Sequence, residues 1–195
     1  MTRRMLRVAK DKNGVSAIEF AMLTPVLLLA LMGVFDTAYD MYTASLLEGA
    51  IQKAARDSSL EKASLNSAVI DDAVTQTVQD LAPGATLDFK RTSYHSFSAI
   101  GKPEDYTDTN NNGKCDKGEP YEDTNDNGVW DTDQGDDGMG GARDAVLYKV
   151  SVTYPRPFAV ASLLGWPSTF TMNATTVLAN QPWDNLAKTA TIRKC

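Results

Sequence analysis

From Val15 to Phe35 the chain carries one charged side chain, Glu19, and from Phe20 to Phe35 it carries none. A helix of that length is about 30 Å long, enough to cross the hydrocarbon core of a bilayer. Arg3, Arg4, Arg7, Lys10 and Lys12 precede the run, while Asp36 and Asp40 follow it. A basic excess on the leading side keeps the N-terminus cytoplasmic and puts the rest of the chain outside. With Asp11 counted, the first 14 residues are at +4, so the formal total of −6 leaves −10 for the remainder.

A secretory signal peptide presents small residues for cleavage after its apolar region, but here Thr37 and Ala38 run on into Tyr39-Asp40-Met41-Tyr42 in helical rhythm. The better cleavage point lies before the run. A short basic leader, Gly14, and Glu19 as the fifth residue after it form the pattern a prepilin peptidase reads. With Ala17-Ile18-Glu19-Phe20-Ala21, Pro25, Leu27-Leu28-Leu29 and Ala54-Ala55-Arg56, the chain resembles the TadE-like family, pilin-like proteins of the tight-adherence (Flp) pilus. The Glu-Phe pair is similar to the TadE and TadF members, where the much shorter major Flp pilins usually have Glu-Tyr.

That resemblance implies a minor pilin-like subunit, not an enzyme, whose mature chain starts at Val15 after prepilin-peptidase cleavage. Its expected partners are other pilin and pilin-like subunits, the inner-membrane pilus platform and the membrane itself. Glu19 would neutralise the new N-terminal amine of its own chain or of a neighbour. The plainer reading is a carboxylate reaching for the interface, since one held at mid-membrane costs about 2.5 kcal/mol or more.

Beyond the membrane, Tyr39, Tyr42, Leu46, Leu47, Ala50, Ile51, Ala54 and Ala55 recur at spacings of three and four, which predicts an amphipathic stalk. A second helix is expected over 64–81, with Leu65, Val69, Ile70, Ala73, Val74, Val78 and Leu81 on one face and Pro83-Gly84 ending it. Strands are expected over 86–91, 146–154 and 170–178, the last two from alternation of apolar and polar residues. The fold class predicted is α+β: a long transmembrane and stalk helix packed on a small antiparallel sheet. The organisation is then a leader over 1–14, a transmembrane helix over 15–38, stalk, second helix and first strand over 39–100, an acidic insertion over 101–142, and strands with a tail over 143–195. The connection from Phe158 to Trp166 is apolar and is expected to be buried.

Residues 104–137 hold twelve acids against Lys114 and Lys117. Such a block repels a phosphate backbone and attracts hard cations, so nucleic acid is excluded as a partner. Within it, Tyr106-Thr107-Asp108-Thr109-Asn110-Asn111-Asn112-Gly113 repeats fifteen residues later as Tyr121-Glu122-Asp123-Thr124-Asn125-Asp126-Asn127-Gly128. A calcium loop of EF-hand pattern takes oxygens from positions 1, 3, 5, 7 and 9 and a bidentate carboxylate from 12, with Gly at 6. The first loop offers Asp108, Asn110, Asn112, the Lys114 carbonyl, Asp116 and Glu119. The second offers Asp123, Asn125, Asn127, the Val129 carbonyl and Asp131, but its position 12 is Gln134, for which Asp133, Asp136 or Asp137 would have to substitute. Prolines at 103 and 120 leave no flanking helix pair, so the loops resemble the helix-poor repeats of dockerin or thrombospondin type. Up to two calcium ions, structural in role, are the expectation.

Cys115 and Cys195 are the only cysteines. A disulfide framework is excluded, and one bridge between them is allowed in an oxidising compartment. Cys115 and Trp130 both fall at position 8 of a loop, so Cys115 reads equally as a buried apolar residue. An alternative function is a membrane-tethered, calcium-dependent adhesin or binding module. A membrane-anchored hydrolase lacks parts, because His95 is the only histidine and has no Ser-Asp or Cys context nearby.

Overall fold

The computed structural model describes residues 14–58, 67–158, 160–180 and 190–195. It divides into two units, one comprising the chain up to Tyr42 together with Arg156–Ser168, the other Thr43–Pro155 together with Thr169–Cys195. The basic leader ahead of Gly14, Leu65 of the expected second helix and most of the C-terminal tail lie outside the described residues.

Helix α1 (Val15–Ser58) is a single run of 44 residues. Its stretch in the first unit is long and apolar enough to cross a membrane, and Phe20, Leu23, Val26 and Val34 stand exposed along it. Pro25 lies inside the helix without ending it. The polar side chains here bond backward along the helix, Thr24 to the Phe20 carbonyl at 2.6 Å and Thr37 to that of Gly33 at 3.0 Å. Hydroxyls satisfied in this way are tolerated where no water reaches.

In the same unit Asp36 and Asp40, one turn apart, both accept from Arg156, Asp40 at 3.2 Å, and the Phe35 and Phe158 rings stand 6.3 Å apart. The connection 156–168 is closed by a bond from the Arg156 amide to the Ser168 carbonyl at 2.9 Å. Its short helix α3 (Val160–Leu163) buries Val160 and Ala161, but Leu163, Leu164 and Trp166 are exposed. The expectation of a buried connection is therefore corrected for those three residues. An apolar composition is shared by buried loops and by exposed apolar ones, so it could not separate them.

In the second unit α1 turns Thr43, Leu47, Ile51, Ala54 and Ala55 inward. The stripe was legible except at its start, where Tyr42 is exposed and Thr43 takes the buried position. Helix α2 (Ser67–Gln79) buries Val74 and Val78, while Val69 and Ala73 face solvent, so its apolar face is narrower than expected. Gly84, at φ +82°, turns the chain into the sheet.

The main sheet is antiparallel throughout, in the order β3-β1-β4-β5, from β1 (Thr86–Tyr94), β3 (Asp136–Asp137), β4 (Ala145–Pro155) and β5 (Thr169–Ala179). Val150 sits between Phe89 and Ala174 in the register of the central strand. Val146, Tyr148, Val150, Val152 and Tyr154 are all buried on one face, and each buried aliphatic side chain among them contributes roughly 1.5–3 kcal/mol. The expected α+β class is borne out: a long N-terminal helix, whose stretch in the second unit turns a buried stripe inward, together with antiparallel sheet, consistent with a pilin-like fold. A separate two-stranded sheet, which the sequence did not disclose, pairs β2 (Pro120–Asp123) with β6 (Thr191–Lys194).

Arg91 grips Asp71 with two hydrogen bonds of 2.9 and 2.5 Å, and Tyr148 donates to the same carboxylate at 2.7 Å. The guanidinium also lies 4.4 Å over the Tyr148 ring. Burial, then the Asp71 bond and charge, push the Tyr148 phenol far above its ordinary value of 10.0, with Arg91 pulling the other way. A phenol held neutral by folding adds stability that is complete below the unfolded pKa and is lost as pH rises through the folded value. The urea midpoint should therefore fall on the alkaline side of pH 10, and the fall should be shallower in Tyr148→Phe. Parallel declines for the two proteins would show that Tyr148 is not the group responsible.

Candidate functional site

In the first loop the Asp108 carboxylate accepts from the backbone of Asn112 at 3.2 Å and of Gly113 at 2.7 Å. The Asn110 oxygen takes the Asn112 amide at 3.1 Å, and the Asn112 oxygen takes that of Lys114 at 2.9 Å. Both Asn side-chain amides donate to Asp116, at 2.8 and 2.5 Å. These two bonds lead the causes that hold the Asp116 carboxyl below its ordinary range. Glu119 closes the loop: Oε1 accepts from the Thr109 amide at 2.8 Å and hydroxyl at 2.7 Å, and Oε2 from the Asp116 amide at 2.9 Å. Those donors, the Asp116 amide foremost, lower the Glu119 carboxyl as well.

The turn depends on left-handed backbone at two places in each loop, Asn111 and Gly113 in the first and Asp126 and Gly128 in the second, with φ between 58° and 79°. Asn, Asp and Gly are the residues that adopt it at least cost.

The second loop repeats this network. Asp123 accepts from Asn127 at 3.1 Å and Gly128 at 2.9 Å, the Asn127 oxygen accepts from Val129 at 2.8 Å, and Asn125 and Asn127 donate to Asp131 at 3.1 and 2.5 Å. The closing carboxylate is Glu104, which precedes both loops. Its Oε1 accepts from the Thr124 amide and hydroxyl at 2.8 and 3.1 Å, and its Oε2 from the Asp131 amide at 3.2 Å. The main chain matches too, since Glu104 donates to the Asp131 carbonyl and Glu119 to that of Asp116, both at 3.0 Å.

Gln134 and the three aspartates named as its substitutes make other contacts. Gln134 donates to the Pro103 carbonyl, Asp133 accepts from the Tyr94 hydroxyl at 3.1 Å, and Asp136 and Asp137 pair with the end of β1 as β3. A signal for Glu104 was present: the fifteen-residue repeat reaches back past the tyrosines to Glu104 and Glu119.

Glu104 and Asp123 are each 1 % exposed and Glu119 is 5 %. Tyr121 is also buried, its hydroxyl has no hydrogen-bond partner, and it shares the inward face of β2 with Asp123. Burial raises its phenol first, and then the charges of Asp123 and Glu104, with Arg193 opposing and Asp131 adding to the rise. Arg193, on β6, reaches Asp123 at 2.5 Å and Asp126 at 2.6 Å. Trp130 donates to the Glu104 carbonyl at 2.9 Å and meets the edge of Tyr106.

Cys115 and Cys195 are joined by a disulfide across 80 residues, with Cα atoms 5.9 Å apart. Both alternatives for Cys115 had been open, and the bond ties β6 to the first loop.

Among the described residues no group of three His, Cys, Asp or Glu side chains stands ready to hold a metal by itself. The sets above also draw on Asn amides and a main-chain carbonyl. All their donors are oxygens, which is the chemistry of a hard cation such as calcium. His95 serves no triad, as its Nε2 lies 3.1 Å from the Thr124 carbonyl and its Nδ1 3.7 Å from Asp144, while the neighbouring Ser93 hydroxyl donates to the Asp136 carbonyl.

At the other end of the chain, Val15 opens α1 and the Gly14 carbonyl accepts its first backbone bond, from Ile18 at 3.1 Å. Glu19 is exposed one turn in. Residues 14–56 match the model of the TadE-like protein family. No curated protein and no solved structure matches the chain.

Proposed function

We propose that this chain is a minor, non-enzymatic pilin-like subunit of a tight-adherence (Flp) pilus machine. It is anchored in the inner membrane by α1, cleaved by a prepilin peptidase after Gly14, and stabilised outside the membrane by calcium in its loop pair. One observation carries the reading: the TadE-like match over 14–56 coincides with α1, whose start at Val15 falls directly after the glycine of the processing pattern. The exposed apolar face of the helix suits both lipid and the helices of other pilin subunits. Its partners are then other components of the pilus, the platform in the inner membrane and the peptidase.

Calcium enters from the donor sets. Extracellular loops of this kind have Kd of order 10⁻⁴ to 10⁻³ M, which suits a compartment where calcium is plentiful. N-terminal sequencing of protein extracted from the cell envelope tests the core of the reading. The mature chain should begin at Val15. Intact Met1, in cells with an active prepilin peptidase, would overturn it.

A further inference from the structure

We infer that Glu104 is the closing ligand of a second calcium site, so that the two repeats exchange clasps: Glu119 closes the loop of the repeat before its own, and Glu104 closes the loop of the repeat after its own. The inference rests on the calcium reading above and specifies its second site.

Each glutamate makes the same four contacts. One oxygen takes the amide and hydroxyl of the threonine at position 2, the other takes the amide of the aspartate at position 9, and the main-chain amide donates to that aspartate's carbonyl. Position 12 of a calcium loop must present both oxygens of one carboxylate to the ion. A glutamate fixed through both oxygens against positions 2 and 9 is placed for that task, whichever side of the loop its backbone comes from. The second loop then has the donor set of the first: Asp123, Asn125, Asn127, the Val129 carbonyl, Asp131 and a glutamate.

A separate observation points to an occupant. The Tyr121 hydroxyl is buried and unpartnered, and its side chain lies on the same inward face of β2 as Asp123, the first residue of the second loop. A buried hydroxyl normally finds a partner, and a water held by a cation in the loop that Asp123 opens would supply one; calcium loops often reach position 9 through water. The charge balance agrees. Glu104 and the Asp123 side chain are buried, and the cation paired with Asp123, Arg193, is 41 % exposed and shared with Asp126. Buried carboxylates call for closer neutralisation than that.

Calcium titration calorimetry of the full chain in detergent micelles, on the wild type, Glu104→Gln and Glu119→Gln, tests the inference. The wild type should bind two ions. Glu104→Gln keeps an oxygen for Thr124, and should weaken one site by roughly tenfold or more while leaving the other. Terbium emission sensitised by Trp130, at position 8 of the second loop, identifies which: Glu104→Gln should remove it and Glu119→Gln should not. Should Glu104→Gln not fold, Asp131→Asn must lose the same site.

A wild type that binds no calcium at millimolar concentration overturns the calcium reading as a whole. Two ions retained at unchanged affinity in Glu104→Gln and in Asp131→Asn overturns the role of Glu104 alone. A wild type with one ion, lost only in Glu119→Gln, overturns the second site and leaves the first.

Discussion

Glu19→Ala is expected to remain in the membrane and to be lost from the fibre. Nothing in α1 needs the carboxylate for insertion, since the apolar run beyond it crosses a bilayer by itself, and removing a charge from its edge makes insertion easier. The side chain is exposed. If its partner is the amine created at Val15 of a neighbouring subunit, deleting it leaves that amine uncompensated among apolar helices, a penalty of about 3–5 kcal/mol. Incorporation should then fall below detection in sheared pilus fractions, while the membrane fraction keeps its usual amount. Glu19→Gln should behave in the same way, because the amide has the shape and no charge. Normal fibre incorporation of both variants would reduce Glu19 to a carboxylate that reaches the headgroups.

The second large effect belongs to the disulfide. Cys195→Ser opens a loop of 80 residues, and the chain-entropy model assigns about 4.5 kcal/mol to its closure. The β2–β6 pair joins residues as distant as Pro120 and Lys194, and without the bond that pairing must carry its own loop closure. Urea unfolding of the full chain in micelles, followed by tryptophan emission, should show the loss, and thiol labelling of Cys115 should become fast. A shift within about 0.5 kcal/mol would mean that the backbone pairing already closes the loop unaided.

Much of this architecture was readable from patterns of charge and polarity. The run from Phe20 to Phe35 could only be an apolar helix, and the alternation from Val146 to Tyr154 could only be a strand with one buried face. What escaped had no such pattern. Strands β2 and β6 are four residues each, too short for alternation to register, and their pairing comes from segments remote in sequence. Glu104 escaped because loops of this pattern are read forward from their first aspartate, and a carboxylate preceding that aspartate has no place in the template. At Tyr42 and Thr43 the helical period gave the stripe but not its phase, which packing decides. Leu163, Leu164 and Trp166 show the limit of composition, as three large apolar residues in one short connection left open whether they were covered.

The pairing of β2 with β6 also sets an order of events. On the proposed reading, a chain anchored by its N-terminal helix emerges on the far side of the membrane from that end, so the acidic loops arrive well ahead of residues 191–195. Until then β2 has only the bridge from Tyr106 to Tyr121 as a backbone partner, and Cys115 has no thiol to meet. Strand β1 likewise waits for β4, its neighbour across the whole acidic segment. The loops, whose contacts with Glu104 and Glu119 are all within 30 residues, are the part of the chain after α1 that can organise first. The chain's far end then closes over a surface already formed.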